Sequence, residues 1–115
     1  MDKECIFCKI VKKEIPVNII FENNKIMAFI DIKPQSPIHF IVIPKKHIST
    51  INDISMDDSN ILGQIMYEIK KIAEKYNISK KGFRVVLNCN KDGGQEVFHI
   101  HFHVLAGRSL KWPPG

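Results

Sequence analysis

The sequence predicts an α+β domain in which strands pair into one antiparallel sheet beside a single long helix. Short runs of β-branched and aromatic residues recur, separated by turn-forming residues, as in strands joined by hairpins. Between the third and fourth runs, apolar residues recur with the 3.6-residue period of a helix packed on one side. With 115 residues, the chain is long enough for one domain with a substantial core and too short for two.

The expected strands are at residues 19–22, 26–31, 39–43, 83–89 and 97–105. Two asparagines and a lysine at 23–25 predict the turn of the first hairpin, and Pro44 is expected to stop the third strand. The helix is expected to begin at Ser55 as N-cap, with Asp57 and Asp58 in its first turn. Its apolar stripe continues to Tyr76.

Composition limits the class of protein and its partners. Hydrophobic residues make up 44% and charged residues 25%, the values of an ordinary globular domain, and no apolar run approaches the roughly 18 residues of a membrane span. The start of the chain lacks a signal-peptide core, and three cysteines are too few for a disulfide framework, so we expect a cytoplasmic or nuclear protein. The net charge of +5 is spread along the chain, which makes nucleic acid an unlikely main partner.

Three of the five histidines, His99, His101 and His103, alternate with apolar residues in the last predicted strand. Period-two geometry would put them on one face of that strand. Imidazole titrates near neutral pH, so such a row suits proton transfer, nucleophilic attack or metal binding. At a rise of about 3.3 Å per residue, the first and third Cα atoms would be roughly 13 Å apart, too far to share one zinc ion. We therefore expect the row to serve two purposes.

The run His99-Ile100-His101-Phe102-His103 followed by two apolar residues resembles the motif of the histidine triad superfamily. The segment 31–47, the Asp92-Gly93-Gly94-Gln95 stretch and the ending Trp112-Pro113-Pro114-Gly115 are similar to the Hint branch, the histidine triad nucleotide-binding proteins. The resemblance covers essentially the whole chain. It implies a five-stranded antiparallel sheet with one long helix and a short N-terminal helix, paired into a homodimer.

The resemblance also implies an activity, the hydrolysis of purine nucleoside phosphoramidates and related adenylates, including aminoacyl-adenylates. His101 matches the nucleophile that forms a nucleotidyl-histidine intermediate, and a neutral imidazole suits that role because it attacks without first losing a proton. A cationic His103 would stabilise phosphate oxygens or help to protonate the leaving amine. His39 matches a further active-site histidine that positions the phosphate and the nucleophile.

Other positions match the substrate-binding residues of the family. Asp31 matches the carboxylate that accepts from the ribose hydroxyls, and Gly94 would let the backbone approach the phosphate closely. Where close Hint relatives often carry a serine facing the leaving group, this chain has Glu96, which would either repel the phosphate or favour a cationic amine. The remaining matches are Phe7, Ile10, Phe29 and Ile32 around the base, and Asn88, Gln95 and Val97 around the phosphate and leaving group.

A Cys5-x-x-Cys8 pair near the N-terminus lacks the preceding strand of a redox motif. Some histidine triad proteins hold a structural zinc ion with this pair and two histidines, and the matching positions are His47 and His99. The alternative is two free thiols. Zinc at this site would support the fold and would not be required for catalysis.

Two other functions remain open. The first is a dinucleotide polyphosphate hydrolase of the same superfamily, against which the Hint-like C-terminus argues. The second is a nucleotide-binding scaffold or regulatory protein whose hydrolysis is incidental.

Overall fold

The computed structural model describes residues 5–115 of the chain. Two α-helices and five strands follow one another along the chain, with short 3₁₀ turns at Ile51–Asp53 and Met56–Asp58. In chain order the elements are α1 (Ile6–Val11), β1 (Ile19–Glu22), β2 (Ile26–Ile30), β3 (Ile38–Pro44), α2 (Ser59–Lys75), β4 (Arg84–Val86) and β5 (Phe102–Ala106).

The five strands form one sheet in the order β1-β2-β3-β5-β4, and every neighbouring pair is antiparallel. This confirms the predicted fold class, with one long helix and a short N-terminal helix. The pairing of β3 with β5, in which Phe40 lies opposite Val104, occupies the middle of the sheet. The two strands that carry His39 and His103 are therefore flanked on both sides.

Each face of the sheet has its own apolar cluster. Phe40 and Val42 of β3 point toward α2 and pack with Ile65 and Ile69 of that helix. The alternate residues Ile41 and Ile43 pack on the opposite face with Phe7, Cys8 and Ile10 of α1. Because side chains alternate along a strand, His39 shares the α1 face.

The prediction of one strand from Val97 to Leu105 is wrong in its first half, since β5 begins only at Phe102. Its partner β3 ends at Pro44, which has no N–H to continue the ladder. The N–H of Ile100 instead donates to the carbonyl of Ile48 at 2.6 Å. The first two histidines of the triad therefore lie on an irregular segment before β5.

Two other boundaries differ from the prediction. Strand β4 covers only residues 84–86 of the predicted 83–89, and its last pair with β5 joins Val86 to His103. Ser55 caps the Met56–Asp58 turn, where the Asp58 carboxylate accepts from the Ser55 N–H at 3.0 Å, and α2 begins one residue later. Among the described residues, no helix combines the length and apolarity needed to cross a membrane.

Candidate active site and metal centre

The structure divides the histidine triad between two clusters. His99 is fully buried beside Cys5, Cys8 and His47, whereas His103 lies beside His39. His101 lies between these clusters, with its ring centroid 4.9 Å from that of His103.

His101 has a defined tautomer. Its Nδ1 lies 2.8 Å from the backbone carbonyl of His99. A carbonyl can only accept, so Nδ1 carries the proton and the Nε2 of the neutral ring has the lone pair. Burial lowers the pKa of His101, although the His99 carbonyl and the Asp31 carboxylate both act to raise it. The side chain therefore presents an unprotonated nitrogen at neutral pH.

His39 and His103 form a second pair. The Nε2 atom of His39 lies 2.9 Å from the Nδ1 atom of His103. Their positions follow from the β3–β5 register, in which His39 lies opposite Leu105, so that His103 is its diagonal neighbour on the same face. The Oδ2 atom of Asp31 is 3.4 Å from the His39 nitrogen and 3.9 Å from the His103 nitrogen.

Burial makes this pair neutral. The pKa of His103 is lowered to about 4 by its removal from water and by the neighbouring His101 and His39, against the opposing effect of Asp31. Burial also lowers the pKa of His39. The expectation that His103 is a cation is therefore wrong for this structure, in which it is a neutral donor at neutral pH.

The four apolar positions matched to the base pocket differ in exposure. Phe7, Ile10 and Phe29 are buried and pack in one cluster, with the Phe7 ring edge-on to His101 at a centroid distance of 5.1 Å. Ile32 is 83% exposed and lies next to Asp31 in the chain. Of these four side chains, only that of Ile32 is largely accessible to solvent.

The Asp31 carboxylate is oriented by its own loop, because Oδ1 accepts from the N–H of Lys33 at 2.7 Å. Its other oxygen faces the two imidazoles. By distance alone Asp31, His39 and His103 could hold a metal. However, the N–H of Gln35 donates to the Nδ1 of His39 at 3.0 Å, so Nε2 of that ring carries a proton and has no lone pair for a cation.

The loop before the triad is held by its own hydrogen bonds. Gly94 has φ +83° and its N–H donates to the carbonyl of Lys91 at 3.0 Å, so this N–H already belongs to a turn. The buried Gln95 side chain accepts from the N–H of Asn90 and donates to the carbonyls of Ser49 and Val97. Gln95 therefore stabilises this loop, a role that its match to a phosphate contact did not predict. Asn88 is half-buried just after β4.

Cys5, Cys8, His47 and His99 lie close enough together to hold a metal, with all four ligand atoms within 4.8 Å of one another. The Nδ1 of His99 is 3.4 Å from the Sγ of Cys5 and 3.6 Å from that of Cys8, and the Nδ1 of His47 is 3.3 Å from the Cys8 sulfur. Zinc bonds of about 2.3 Å to sulfur and 2.0–2.1 Å to nitrogen span such separations in a tetrahedron.

The second nitrogens of these two histidines support the same assignment. His99 Nε2 donates to the carbonyl of Pro44 at 2.8 Å, which leaves the lone pair of the neutral ring on Nδ1, facing the sulfurs. His47 Nε2 lies 3.2 Å from the Ser49 hydroxyl. A cleft of about 310 Å³ opens beside this cluster, and Glu96 and Val97 line it together with Cys5. The donor set therefore fits a zinc ion.

Sequence reasoning missed two contributors to the site. Gln35 acts through its backbone, and Arg108 holds the same loop by donating to the Gln35 carbonyl at 3.0 Å. Next to it, Gly107 has φ +96°, and a Cβ there would lie 2.7 Å from Pro37. The Gln35 donor is a backbone N–H, which almost any residue type would supply, so the sequence could not identify it. The glycine at position 107 is the one signal in the sequence, because it permits the close approach to Pro37.

Comparison with known proteins agrees with this geometry. Residues 12–110 match the model of the HIT domain family. A protein of Escherichia coli (strain K12), named a purine nucleoside phosphoramidase, is 44% identical over 110 residues, which is 96% of this chain and 92% of the relative. The crystal structure of a HIT family hydrolase from Legionella pneumophila Philadelphia 1 is similar with a TM-score of 0.95 and 53% identity, covering 96% of this chain and 99% of that one.

A more distant structure, a histidine triad nucleotide-binding protein from Candida albicans, has a TM-score of 0.75 and 30% identity, covering 95% of this chain and 82% of that one. The triad sequence, the sheet that carries it and these likenesses agree, and the chain belongs to the HIT domain family.

Proposed function

We propose that this protein hydrolyses purine nucleoside 5′-phosphoramidates to a nucleoside monophosphate and an amine. The observation that carries the proposal is the tautomer of His101, whose protonated Nδ1 is bonded to a carbonyl while Nε2 keeps its lone pair. The 44% identity to a protein named a purine nucleoside phosphoramidase supports the substrate class. Adenosine phosphoramidate, lysine-linked AMP and aminoacyl-adenylates are the substrates we expect.

In the first step, the Nε2 lone pair of His101 attacks the α-phosphorus, the bond from phosphorus to the leaving amine breaks, and the amine departs with a proton from solvent or a neighbouring donor. In the second step, water attacks the same phosphorus, which releases AMP and returns His101 to its neutral form. A buried, uncharged imidazole supports both steps. Its Nε2 is unprotonated before attack, and because Nδ1 keeps its proton, the ring leaves as a neutral imidazole when water attacks the phosphorus.

His103 and His39 assist by donating and positioning. The ring of His103 lies 4.9 Å from that of His101, within reach of a phosphate bound at the nucleophile. As a neutral donor it would stabilise the charge that develops on a non-bridging oxygen. His39 holds His103 in place through their 2.9 Å contact.

We propose that the residues matched to the base and to the ribose recognise the nucleoside. Ile32, exposed by 83%, and the buried Phe7, Ile10 and Phe29 would contact the base, and the Oδ2 of Asp31 would accept from the ribose. The exposed Glu96 lines the cleft beside the metal cluster. We propose that Glu96 favours cationic amines such as lysine in the leaving group.

The activity is tested by comparing turnover of adenosine phosphoramidate with that of diadenosine tetraphosphate under the same conditions. We expect kcat/KM for the phosphoramidate to exceed that for the dinucleotide by about 100-fold, a difference of roughly 2.7 kcal/mol in transition-state binding. The reverse preference would assign the chain to the dinucleotide polyphosphate hydrolases. Binding of AMP without hydrolysis of either compound would favour a scaffold role.

We propose a homodimer that joins the β4 strands at the sheet edge. Strand β4 lies at the end of the sheet, and the nearby helix α2 exposes Met66 and Tyr67, which are 47% and 57% accessible. Pairing of two such edges would cover their backbone groups. The expectation that Ile69 belongs to this surface is wrong, because it is 1% exposed and packs in the sheet core.

Sedimentation at micromolar concentration is expected to give twice the chain mass of 13.2 kDa. A mass near that of one chain would contradict the dimer. The C-terminal segment is proposed to reach the partner's site, since Trp112 is 82% exposed and Arg84 holds the carbonyls of Leu110 and Lys111. Deletion of residues 110–115 should then change leaving-group preference, and an unchanged preference would remove that role from the tail.

A structural zinc ion at Cys5, Cys8, His47 and His99 is also proposed. When bound, the ion would cross-link α1 to the segments that carry the two histidines. Thiolate ligands require reduced cysteines, which supports a cytoplasmic location.

A further inference from the structure

Two N–H···N hydrogen bonds connect a backbone amide, through His39, to His103. The N–H of Gln35 donates to His39 Nδ1 at 3.0 Å, and His39 Nε2 lies 2.9 Å from His103 Nδ1. A peptide N–H can only donate, so His39 must accept at Nδ1 and, when neutral, carry its proton on Nε2. The direction of the second hydrogen bond follows from the first.

That direction fixes the state of His103. Since His39 donates through Nε2, the Nδ1 of His103 accepts, and the neutral ring carries its proton on Nε2. The alternative acceptor for His39, the Oδ2 of Asp31, is 3.4 Å away and therefore less favourable than the 2.9 Å contact. His103 has one remaining polar atom for a ligand, and it is an N–H donor.

The segment 34–37 that carries this amide is held from several sides. Arg108 donates to the carbonyl of Gln35 at 3.0 Å, and Gly107 packs so closely on Pro37 that no larger residue fits. The hydroxyl of Ser36 donates to the carbonyl of Ile38, the first residue of β3, at 2.6 Å. These contacts hold the Gln35 amide in place before substrate arrives.

We propose that the backbone N–H of Gln35 is a positioning group that sets the tautomer of His39 and, through it, makes His103 an Nε2–H donor to a non-bridging oxygen of the bound phosphate. This inference rests on the proposed function. It assigns to the 34–37 segment a part in transition-state stabilisation that residue types alone do not reveal. Because the donor is preorganised, no proton needs to be rearranged when the phosphate binds.

The first test is nitrogen NMR of the wild-type protein near neutral pH. Couplings across hydrogen bonds should connect the Gln35 amide nitrogen with His39 Nδ1, and His39 Nε2 with His103 Nδ1. The shared proton should be attached to His39. A proton found on His103 Nδ1, or the absence of the Gln35 coupling, would overturn the proposal, and this readout does not depend on any enzymatic activity.

The second test uses a matched pair of variants. Gln35→Pro removes the amide proton, whereas Gln35→Ala removes only the side chain and keeps it. With Gln35→Pro we expect Nδ1-protonated forms of His39 and His103 to appear and kcat to fall about fivefold or more at little cost in KM, as for an interaction made in the transition state. Gln35→Ala should retain the wild-type tautomers.

Unchanged tautomers in a folded Gln35→Pro protein would contradict the proposal. If that variant does not fold, the proposal is judged by the couplings across the two hydrogen bonds in the wild-type protein. Absence of phosphoramidate turnover by the wild-type protein would refute the proposed function but would leave the tautomer assignment to be judged by NMR.

Discussion

Replacing His101 with alanine is expected to reduce kcat for phosphoramidate hydrolysis by about 100-fold or more, while nucleotide binding is largely retained. The nucleophile supplies the lone pair in the first step, and loss of a covalent nucleophile costs several decades in other hydrolases. The binding groups we propose, Ile32 and Asp31 among them, are not altered by the change. Steady-state kinetics and calorimetric titration with AMP measure the two effects separately.

His101→Asn is the matched variant, because its amide can replace the Nδ1–H that bonds to the His99 carbonyl without offering a nucleophile. Both variants should be inactive and both should bind AMP. Residual activity above about one per cent of wild type in either would remove His101 from the nucleophile role.

Of the changes considered, removal of zinc is expected to lower the free energy of unfolding the most. A metal that binds only the folded state adds about 2.7 kcal/mol when its free concentration is roughly 100 times Kd. For a domain of this size, that corresponds to a fall in Tm of roughly 10 °C when the metal is removed. We expect about one zinc ion per chain in protein purified without chelator, measured by elemental analysis, with Tm from calorimetry.

Cys5→Ser/Cys8→Ser should lose both the zinc and the added stability. Cys89→Ser is the control, since Cys89 lies outside the cluster and should leave zinc content unchanged. Wild-type protein without zinc, or zinc retained by the double variant, would contradict the assignment.

Much of the fold could be predicted because its elements are locally consistent. The stripe of α2 and the Asn23–Lys25 turn between β1 and β2 have the periodicity and turn residues that their structures require. The start of β5 could not be predicted, because the alternation of residues 97–101 satisfies the strand pattern. What ends the ladder there is the partner, Pro44 on another strand, and pairing is a tertiary property.

The division of the triad was predicted for a reason that is only partly right. The distance argument assumed an extended strand, whereas His99 and His101 lie on an irregular segment. The division nevertheless holds, since the His99 side chain faces Cys5 and Cys8. The charge of His103 was mispredicted because its burial depends on residues distant in the chain.

Residue types also could not distinguish residues that contact the substrate from residues that stabilise the site. Gln95 has a polar side chain of the kind that binds ligands, but its side-chain amide makes hydrogen bonds to the backbone of Asn90, Ser49 and Val97. The Gln35 amide shows the opposite case, a functional group that any residue except proline would supply. Hydrogen-bond partners, which only the folded chain defines, decide such roles.

The covalent route through His101 is tested most directly by the stereochemical course at phosphorus. An adenosine thiophosphoramidate of known configuration, hydrolysed in heavy-oxygen water, gives a thiophosphate whose configuration records the number of displacements. Two successive in-line attacks, first by His101 and then by water, predict overall retention. Inversion would mean a single direct attack by water and would contradict the nucleotidyl-histidine intermediate, whether or not that intermediate accumulates.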